Sequence, residues 1–480
     1  MSASAGGSWL ERRSSSLVLC VIVLAVFATT NLPWQLEDYD QAKQAFTSLE
    51  MVQQGHWLFQ HTPNGWVATK PPLIGWISAL TFFVTRSWDF AWRFPSIMAA
   101  LALAYLIRRG ATRAYGSAAG LLAVAAFGLN LFAPRLATLA RTDMPLALII
   151  FLIGAHIWEK IRTREPWTTR DRLVAFALLT ASMLIKGPIV YAFLLPGIVA
   201  YALFVRRRGE EQVSAWCGAW PWLASLLVFA LWVLVGIRTV PDFLEHVVIR
   251  EFAGRFEGTH RAQPFYFYLP HLLHRFAPWS ILVIFFAALA RRTERLSPAT
   301  LWLLCWSVGG IFLMSVIPSK RVDRIFPVVP PLALLLAAQL AHLQSKHPRA
   351  KRYAATAAIV AGLFTGGYAV AKVVPAFRQH RAAFAVFGRE VRGEVAVRHL
   401  RFDVVGGEDE GMLVYLRKTE FAELPDAIAH WRAGAVNAIV APEEAFADLT
   451  GALPDVDAAR TRLSGAAGNH HRRYVFLTRR

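Results

Sequence analysis

Apolar runs close to membrane-spanning length recur along this chain, and they restrict its fold more than any other feature. A spanning helix takes about 20 mostly apolar residues, roughly 17–25. Runs near that length lie at 16–33, 71–86, 90–107, 116–134, 143–158, 173–186, 188–205, 219–237, 276–290, 299–317, 325–343 and 353–374. Composition agrees: 55% of the 480 residues are hydrophobic and only 17% are charged, against about 25% charged in soluble globular domains. With a mean hydropathy of +0.39, this excludes disorder and argues against an ordinary soluble enzyme.

Lys and Arg number 51 against 32 acidic residues, a net charge of +19. Such an excess can signal nucleic acid. Here the cations sit in short clusters between apolar runs, which is the pattern that sets membrane topology. With the N-terminus inside, the inner segments carry 20 Lys/Arg and the longer outer loops 13. The run 16–33 follows Glu11-Arg12-Arg13, as the core of a signal peptide would. A polytopic chain usually retains this segment as its first helix, and we read it so. Two runs fall between 71 and 108, where the charges demand an odd number of crossings. Either 71–86 lies in the interface or a further helix is present. The expected fold is an all-α polytopic membrane protein with 11 or 13 transmembrane helices and its C-terminus outside. The three cysteines, Cys20, Cys217 and Cys305, lie in or beside apolar runs and indicate neither a disulfide framework nor a zinc site.

The chain changes character near residue 375. Residues 376–480 hold 15 basic and 14 acidic residues, a balance typical of a soluble domain. Phe402–Val405, Asn437–Val440 and Tyr474–Leu477 read as strands, with helices at Leu424–Ala433 and Glu443–Leu449. The alternation predicts a small α/β domain. Gly406-Gly407 after the first strand reads as a plain turn. The expected division is therefore a membrane domain over 1–375, with outer loops 34–70 and 238–275, and an α/β domain over 376–480.

All the unusual polar residues fall on the outer side. In loop 34–70, Glu37, Asp38 and Asp40 precede a stretch to Gln53 with the pattern of an amphipathic helix on the membrane surface. Asp38 reads as a helix cap, whereas Asp40 is a candidate catalytic carboxylate. Lys70-Pro71-Pro72 opens the next apolar run. Its Lys either snorkels or meets an anionic headgroup at the bilayer surface. Asp143 stands at the outer mouth of an apolar helix, where capping is the plain alternative to catalysis. Lys186 is embedded between two apolar segments, an expensive placement that usually marks function, although snorkelling is equally open. Loop 238–275 combines Arg250, Glu251, Arg255, His260 and Arg261 with the aromatics Phe265 to Tyr268. That mixture suits a pocket for an anionic, partly apolar ligand. Lys320, Arg321 and Arg324 lie at an outer helix end, against the positive-inside tendency, and phosphate binding would account for them. Transfer of a sugar from a lipid phosphate fits this inventory. Cations stabilise the leaving phosphate, and a carboxylate takes the acceptor's proton. The chain contains no Walker sequence and no Gly-rich dinucleotide loop.

At this point the sequence resembles a known family. The stretches YDQAKQAFTSLEMVQQGHW, ATKPPLIGWISAL, WRFPSIMAAL, LARTDMPLAL, LIKGPIVY, REFAGRFEGTHRAQPFYFYLP and PSKRVDRIFPVVPPLALL are similar, in order, to the bacterial lipid A aminoarabinose transferases and the protein O-mannosyltransferases. These are membrane glycosyltransferases of the GT-C fold (glycosyltransferase family 39-like) that use polyprenyl-phosphate sugars. The resemblance covers about residues 10–345 and, less specifically, the tail. It implies that Asp40 is the Asp of the family's Asp-Glu pair and Asp143 the second acidic position. It implies that Lys70 contacts the donor phosphate and that His260 is the His of the second outer loop. Two positions depart from the pattern. Gln41 replaces the Glu after the first Asp, and Thr69 replaces the acidic residue before Lys-Pro-Pro. In the aminoarabinose transferases that Glu and the His can hold a zinc. With Thr69 the pair is incomplete, so no firm cofactor and no metal ligand set are expected.

The resulting expectation is an inverting glycosyltransferase in the bacterial inner membrane, multi-pass, with a cytoplasmic N-terminus and a periplasmic C-terminal domain. Its expected partners are a polyprenyl-phosphate sugar, a lipid or glycan acceptor and membrane lipids, with no nucleic acid. Asp40 and Asp143 are the candidate catalytic residues. Lys70, Lys186, Arg261, Lys320 and Arg321 are candidates for the donor phosphate, and Arg250, Glu251, His260 and Tyr268 for the substrate pocket. Transfer onto a protein hydroxyl is the nearest alternative. A transporter or flippase of lipid-linked sugars is another class, but it should show internal symmetry and ionisable groups at mid-membrane. An inactive scaffold is a third, kept open by Gln41.

Overall fold

The computed structural model describes residues 13–36, 38–209, 213–254, 262–290, 296–344, 346–347, 349–406, 409–453, 455–464 and 473–480. Most of them are helical. Among the described residues, six helices are long and apolar enough to cross a membrane: Asp143–Thr163, Ile189–Arg208, Trp220–Thr239, Pro298–Val316, Val322–Leu343 and Ala350–Arg378. A seventh span is available if Phe265–Arg275 and Trp279–Ala290, which meet at 99°, act as one broken crossing. The chain is thus a multi-pass membrane protein.

The sequence conflict between 71 and 108 falls on a short element. The helix Leu73–Thr85 has 13 residues, about 20 Å at 1.5 Å per residue, against a hydrocarbon core of about 30 Å. Phe94–Tyr115 follows with 22 residues. Its start has Pro95 in the first turn, where a missing N–H costs nothing, and Gly116 at φ +90 closes it.

The membrane helices approach closely where side chains are small. A Cβ on Gly309 would lie 2.5 Å from the Gly197 nitrogen, and one on Gly197 would lie 2.8 Å from the Trp306 Cα. Helices Ile189–Arg208 and Pro298–Val316 therefore meet backbone to backbone, the usual solution where lipid offers no hydrophobic drive between helices. Asp143–Thr163 and Thr169–Lys186 run as an antiparallel pair. A capping box of Thr168 and Asp171 starts the second helix, and Gly187 at φ +71 ends it. This pairing puts Asp143, at one helix start, beside Lys186, at the other helix end.

The C-terminal part contains a four-stranded sheet in the order β1-β2-β4-β3, with β1 Phe402–Val404, β2 Ala438–Pro442, β3 Arg462–Leu463 and β4 Tyr474–Thr478. β1 and β2 are parallel, so a crossover must join them, and helix Leu424–Arg432 supplies it. β2 and β4 are antiparallel, as are β3 and β4. β3, only two residues long, has no counterpart in the sequence reading.

This unit is seated on helix Tyr39–Gln54 and its surroundings. Phe384, Met412, Tyr415 and Phe476 share a core with Phe46, Leu49, Trp88 and Trp92, and the Tyr415 hydroxyl accepts a 2.8 Å bond from the Leu36 amide. One expectation is corrected here. Helix Tyr39–Gln54 was expected to lie on the membrane surface with an exposed polar face. Instead Gln44 through Met51 are all buried, because the C-terminal unit packs on Phe46 and Leu49 while Gln44 and Thr47 face Gln60, Ala68 and Thr69.

Candidate active site

The first outer helix, Tyr39–Gln54, begins where Asp38 accepts a 2.9 Å bond from the Gln41 amide. Asp38 is thereby the cap, and Asp40 is left in the first turn with its carboxylate turned away from the helix end. It meets two guanidinium groups. The Arg321 guanidinium donates to it, and Arg141 Nη2 lies 3.3 Å away. The same Arg141 reaches Asp38 at 3.0 Å and Asp323 at 2.8 Å. Arg135 at 3.4 Å and Arg275 at 3.6 Å complete the ring around Asp323. A second ion pair stands opposite, with Lys186 Nζ 2.6 Å from Asp143 Oδ1.

These groups open onto one cavity of about 270 Å³. Asp40, Lys70, Arg141, Asp143, Lys186 and Arg321 line it, with Arg250 and Glu251 on the far wall. Among the described residues, seven basic and four acidic side chains face it, an excess of three positive charges. An apolar cavity of about 190 Å³ adjoins it, lined by Ile189, Ala192, Phe252, Leu313, Met314 and Ile317, and the two share Lys186, Ser319 and Arg324. An anionic head and a hydrocarbon chain would each find a matching wall.

The electrostatics favour an anion over a base. Burial raises the Asp40 carboxyl, but the hydrogen bond from Arg321 and the charges of Lys70, Arg321 and Arg141 outweigh it and hold the group well below the usual carboxylate range. A carboxylate so stabilised is a weak proton acceptor. Lys70 behaves oppositely. Burial and the neighbouring Lys186 push its amine down from 10.5 to about 8, against the pull of Asp40, Asp143 and Glu251. An added anion would favour its charged form.

Of the residues singled out in the sequence, Asp40, Asp143, Lys70, Lys186, Arg321, Arg250 and Glu251 therefore come together. Lys320 does not line the cavity. Its amine is buried and donates at 2.8 Å to the Gln263 carbonyl, which fastens the second outer loop. Tyr268 is fully buried in the main core, away from the cavity lining. His260 and Arg261 lie outside the described residues. Arg141 and Asp323 were missed. The only signal for them was an Arg just before Asp143, on the outer side where cations are disfavoured. The Glu-His zinc set suggested by the resemblance does not fit, since the cavity-lining Thr69 offers no carboxylate in place of the Glu.

The chain is similar to known proteins in sequence and in fold. Residues 69–237 match the family model described as dolichyl-phosphate-mannose-protein mannosyltransferase. The chain is 30% identical over 341 residues to undecaprenyl phosphate-alpha-4-amino-4-deoxy-L-arabinose arabinosyl transferase 1 of Sodalis glossinidius, covering 69% of this chain and 59% of that protein. It is 25% identical over 337 residues to the corresponding transferase of Pectobacterium carotovorum, covering 68% and 59%. The chain thus spans about three-fifths of the length of these curated relatives. The crystal structure of ArnT from Cupriavidus metallidurans bound to undecaprenyl phosphate superposes with a TM-score of 0.74 at 17% identity, covering 97% of this chain and 98% of that one. The apo structure of the same protein gives 0.68. The chain therefore has the fold of ArnT, and in sequence it is similar to the aminoarabinose transferases and, over residues 69–237, to the protein mannosyltransferase model.

Proposed function

We propose that the chain is an inverting glycosyltransferase that moves one sugar from a polyprenyl phosphate to an acceptor at the periplasmic face of a bacterial inner membrane. The observation that carries this reading is the pair of adjoining cavities, one with three surplus positive charges and one apolar. Lys70, Lys186 and Arg321 would hold the donor phosphate, and Arg250 and Glu251 would face the sugar or acceptor. In the reaction the bond between the sugar C1 and the phosphate oxygen breaks, and its electron pair leaves with the lipid phosphate. The acceptor oxygen bonds to C1 from the opposite face. Fixed cations stabilise the charge that develops on the leaving group. Asp40, held ionised, would position Arg321 and Arg141 and orient the acceptor. An acceptor that is itself a phosphate, as on lipid A, has no proton to surrender.

The topology follows from the same reading. The Lys/Arg bias supports a cytoplasmic N-terminus and a periplasmic unit over 376–480. A non-crossing Leu73–Thr85 would settle the parity of the crossings in favour of an odd total, expected as 11 or 13. Transfer onto a protein hydroxyl is the second reading, and the match over 69–237 to a protein mannosyltransferase model favours it. Lipid and glycan mass spectrometry of a deletion strain separates the two. An unmodified glycolipid with accumulated polyprenyl-phosphate sugar supports the first. Loss of a protein glycan supports the second. Neither change would leave the chain without a transferase role.

A further inference from the structure

A second cluster of potential ligands lies outside the cavity, at the other end of the first outer helix. Glu50 is in that helix's last turn. Gly55 then turns the chain in the left-handed region, at φ +78, and His56 follows. His61 pairs with Val67 in a small hairpin, whose return leg, tied by a 2.6 Å bond from the Ala68 amide to the Gln60 carbonyl, leads straight to Thr69 and Lys70. The turn brings three side chains to one point. His56 Nδ1 touches Glu50 Oε1. His61 Nδ1 lies 3.2 Å from His56 Nδ1 and 3.5 Å from Glu50 Oε1. One ligand atom from each residue lies within 4.8 Å of the others.

Two features point to a cation here. First, Glu50 is buried, with its side chain 4% exposed, and its second oxygen has no hydrogen-bond partner. A buried carboxylate with an unsatisfied oxygen is costly, and a metal would satisfy it. Second, His61 stands at separations that suit tetrahedral coordination, while His56 Nδ1 and Glu50 Oε1 touch and would part to admit the ion. Bonds of about 2.0–2.2 Å place tetrahedral ligands about 3.3–3.6 Å apart, close to the two His61 separations. Two imidazoles and one carboxylate favour zinc among common divalent ions. His56 is the exposed member, and it leaves an approach for the ion and room for water as a fourth ligand.

We propose that Glu50, His56 and His61 form a zinc-class divalent cation site that pins the hairpin before Lys70 to the first outer helix. The site is structural, since it holds no group of the cavity, and its ligands are neither Thr69 nor His260. The proposal stands apart from the transferase reading, because its test reads metal content and stability instead of turnover.

The test uses the full-length, untagged chain purified in detergent, stripped with chelator and titrated with zinc chloride. Bound metal is measured by mass spectrometry and thermal unfolding is followed in parallel. We expect one equivalent bound and a raised Tm, since a ligand of the native state stabilises it by mass action. Affinity should fall at least about ten-fold in His56→Gln and in His61→Ala, because even outer-shell partners of a metal are worth roughly that much. The exposed His56→Gln change leaves the core intact, which keeps the test valid if His61→Ala misfolds. His260→Ala should retain the ion. No stoichiometric zinc in the wild-type chain would overturn the proposal. So would zinc that survives both histidine changes, or zinc lost in His260→Ala alone.

Discussion

Lys70 offers a quantitative test of how the cavity recognises its donor. Its amine sits among Lys186, Asp40, Asp143 and Glu251, with its pKa lowered to about 8. At pH 7 about nine-tenths of the chains then carry a charged Lys70, and at pH 9 about one-tenth do. A phosphate binds the charged form, so donor affinity should be steady below pH 8 and fall as pH rises through it. Lys70→Ala removes one charge-assisted hydrogen bond, worth about 1.5–3 kcal/mol, or about 10- to 150-fold in the donor KM at pH 7. The pH step should vanish in that variant. Lys70→Arg keeps its charge throughout and should retain part of the affinity while also losing the step. The assay is initial-rate kinetics of the chain in proteoliposomes, with the lipid-linked donor varied at pH 6.5 to 9.5. A Lys70→Ala variant with unchanged donor KM would show that the amine merely snorkels. A wild-type KM that stays flat across pH 8 would show that its titration is not coupled to the phosphate.

Three further outcomes follow. Asp40→Asn should lower turnover by about 10- to 150-fold, the worth of a charge-assisted hydrogen bond, while Asp38→Asn costs far less. The wild-type rate should stay flat from pH 5 to 7, because Asp40 remains ionised there; a fully active Asp40→Asn protein would move the role to Asp143. A reporter fused after Arg480 should be active only in the periplasm, and one fused after Arg208 only in the cytoplasm; reversed results would place the cavity on the wrong side for the proposed donor. Gly309→Val should destabilise the protein by about 1–3 kcal/mol or more, since a Cβ there meets the Gly197 backbone at 2.5 Å; thermal unfolding in detergent at an unchanged Tm would contradict this close approach.

What the sequence disclosed, and what it hid, has physical causes. Spanning helices announce themselves by apolar length, and Asp143 and Lys186 stand out because charge at the edge of an apolar run is costly. The partnership of Asp40 with Arg141 and Asp323 could not be read in this way. The three residues are about a hundred and about two hundred and eighty positions apart, and no local period links them. Lys320 and Arg321 looked equivalent as neighbours in a basic cluster. Arg321 has extended backbone, φ −138 and ψ 142, where successive side chains point to opposite sides. One of the pair therefore enters the cavity and the other ties down a loop. The Glu50, His56 and His61 group was hidden for a similar reason. Its spacings match neither a helix face nor a strand, and only the left-handed turn at Gly55 closes them.

The covered face of the first outer helix connects the two parts of the chain. An amphipathic pattern over Asp40–Gln53 states that one side is apolar, but not what lies against that side. Here Met412, Tyr415 and Phe384 lie against it through Phe46 and Leu49, while Tyr415 holds the Leu36 amide just ahead of the helix start. Asp40 is in the first turn of that helix, and its two guanidinium partners come from loops over a hundred residues away. A carboxylate held by Arg321 and Arg141 keeps its place only if the helix carrying it is fixed. The membrane helices fix it from one side and the C-terminal unit from the other. Among the described residues, those of the C-terminal unit contribute none to the cavity lining, yet by holding the start of this helix through Tyr415 the unit sets where the Asp40 carboxylate stands relative to Lys70 and Arg321.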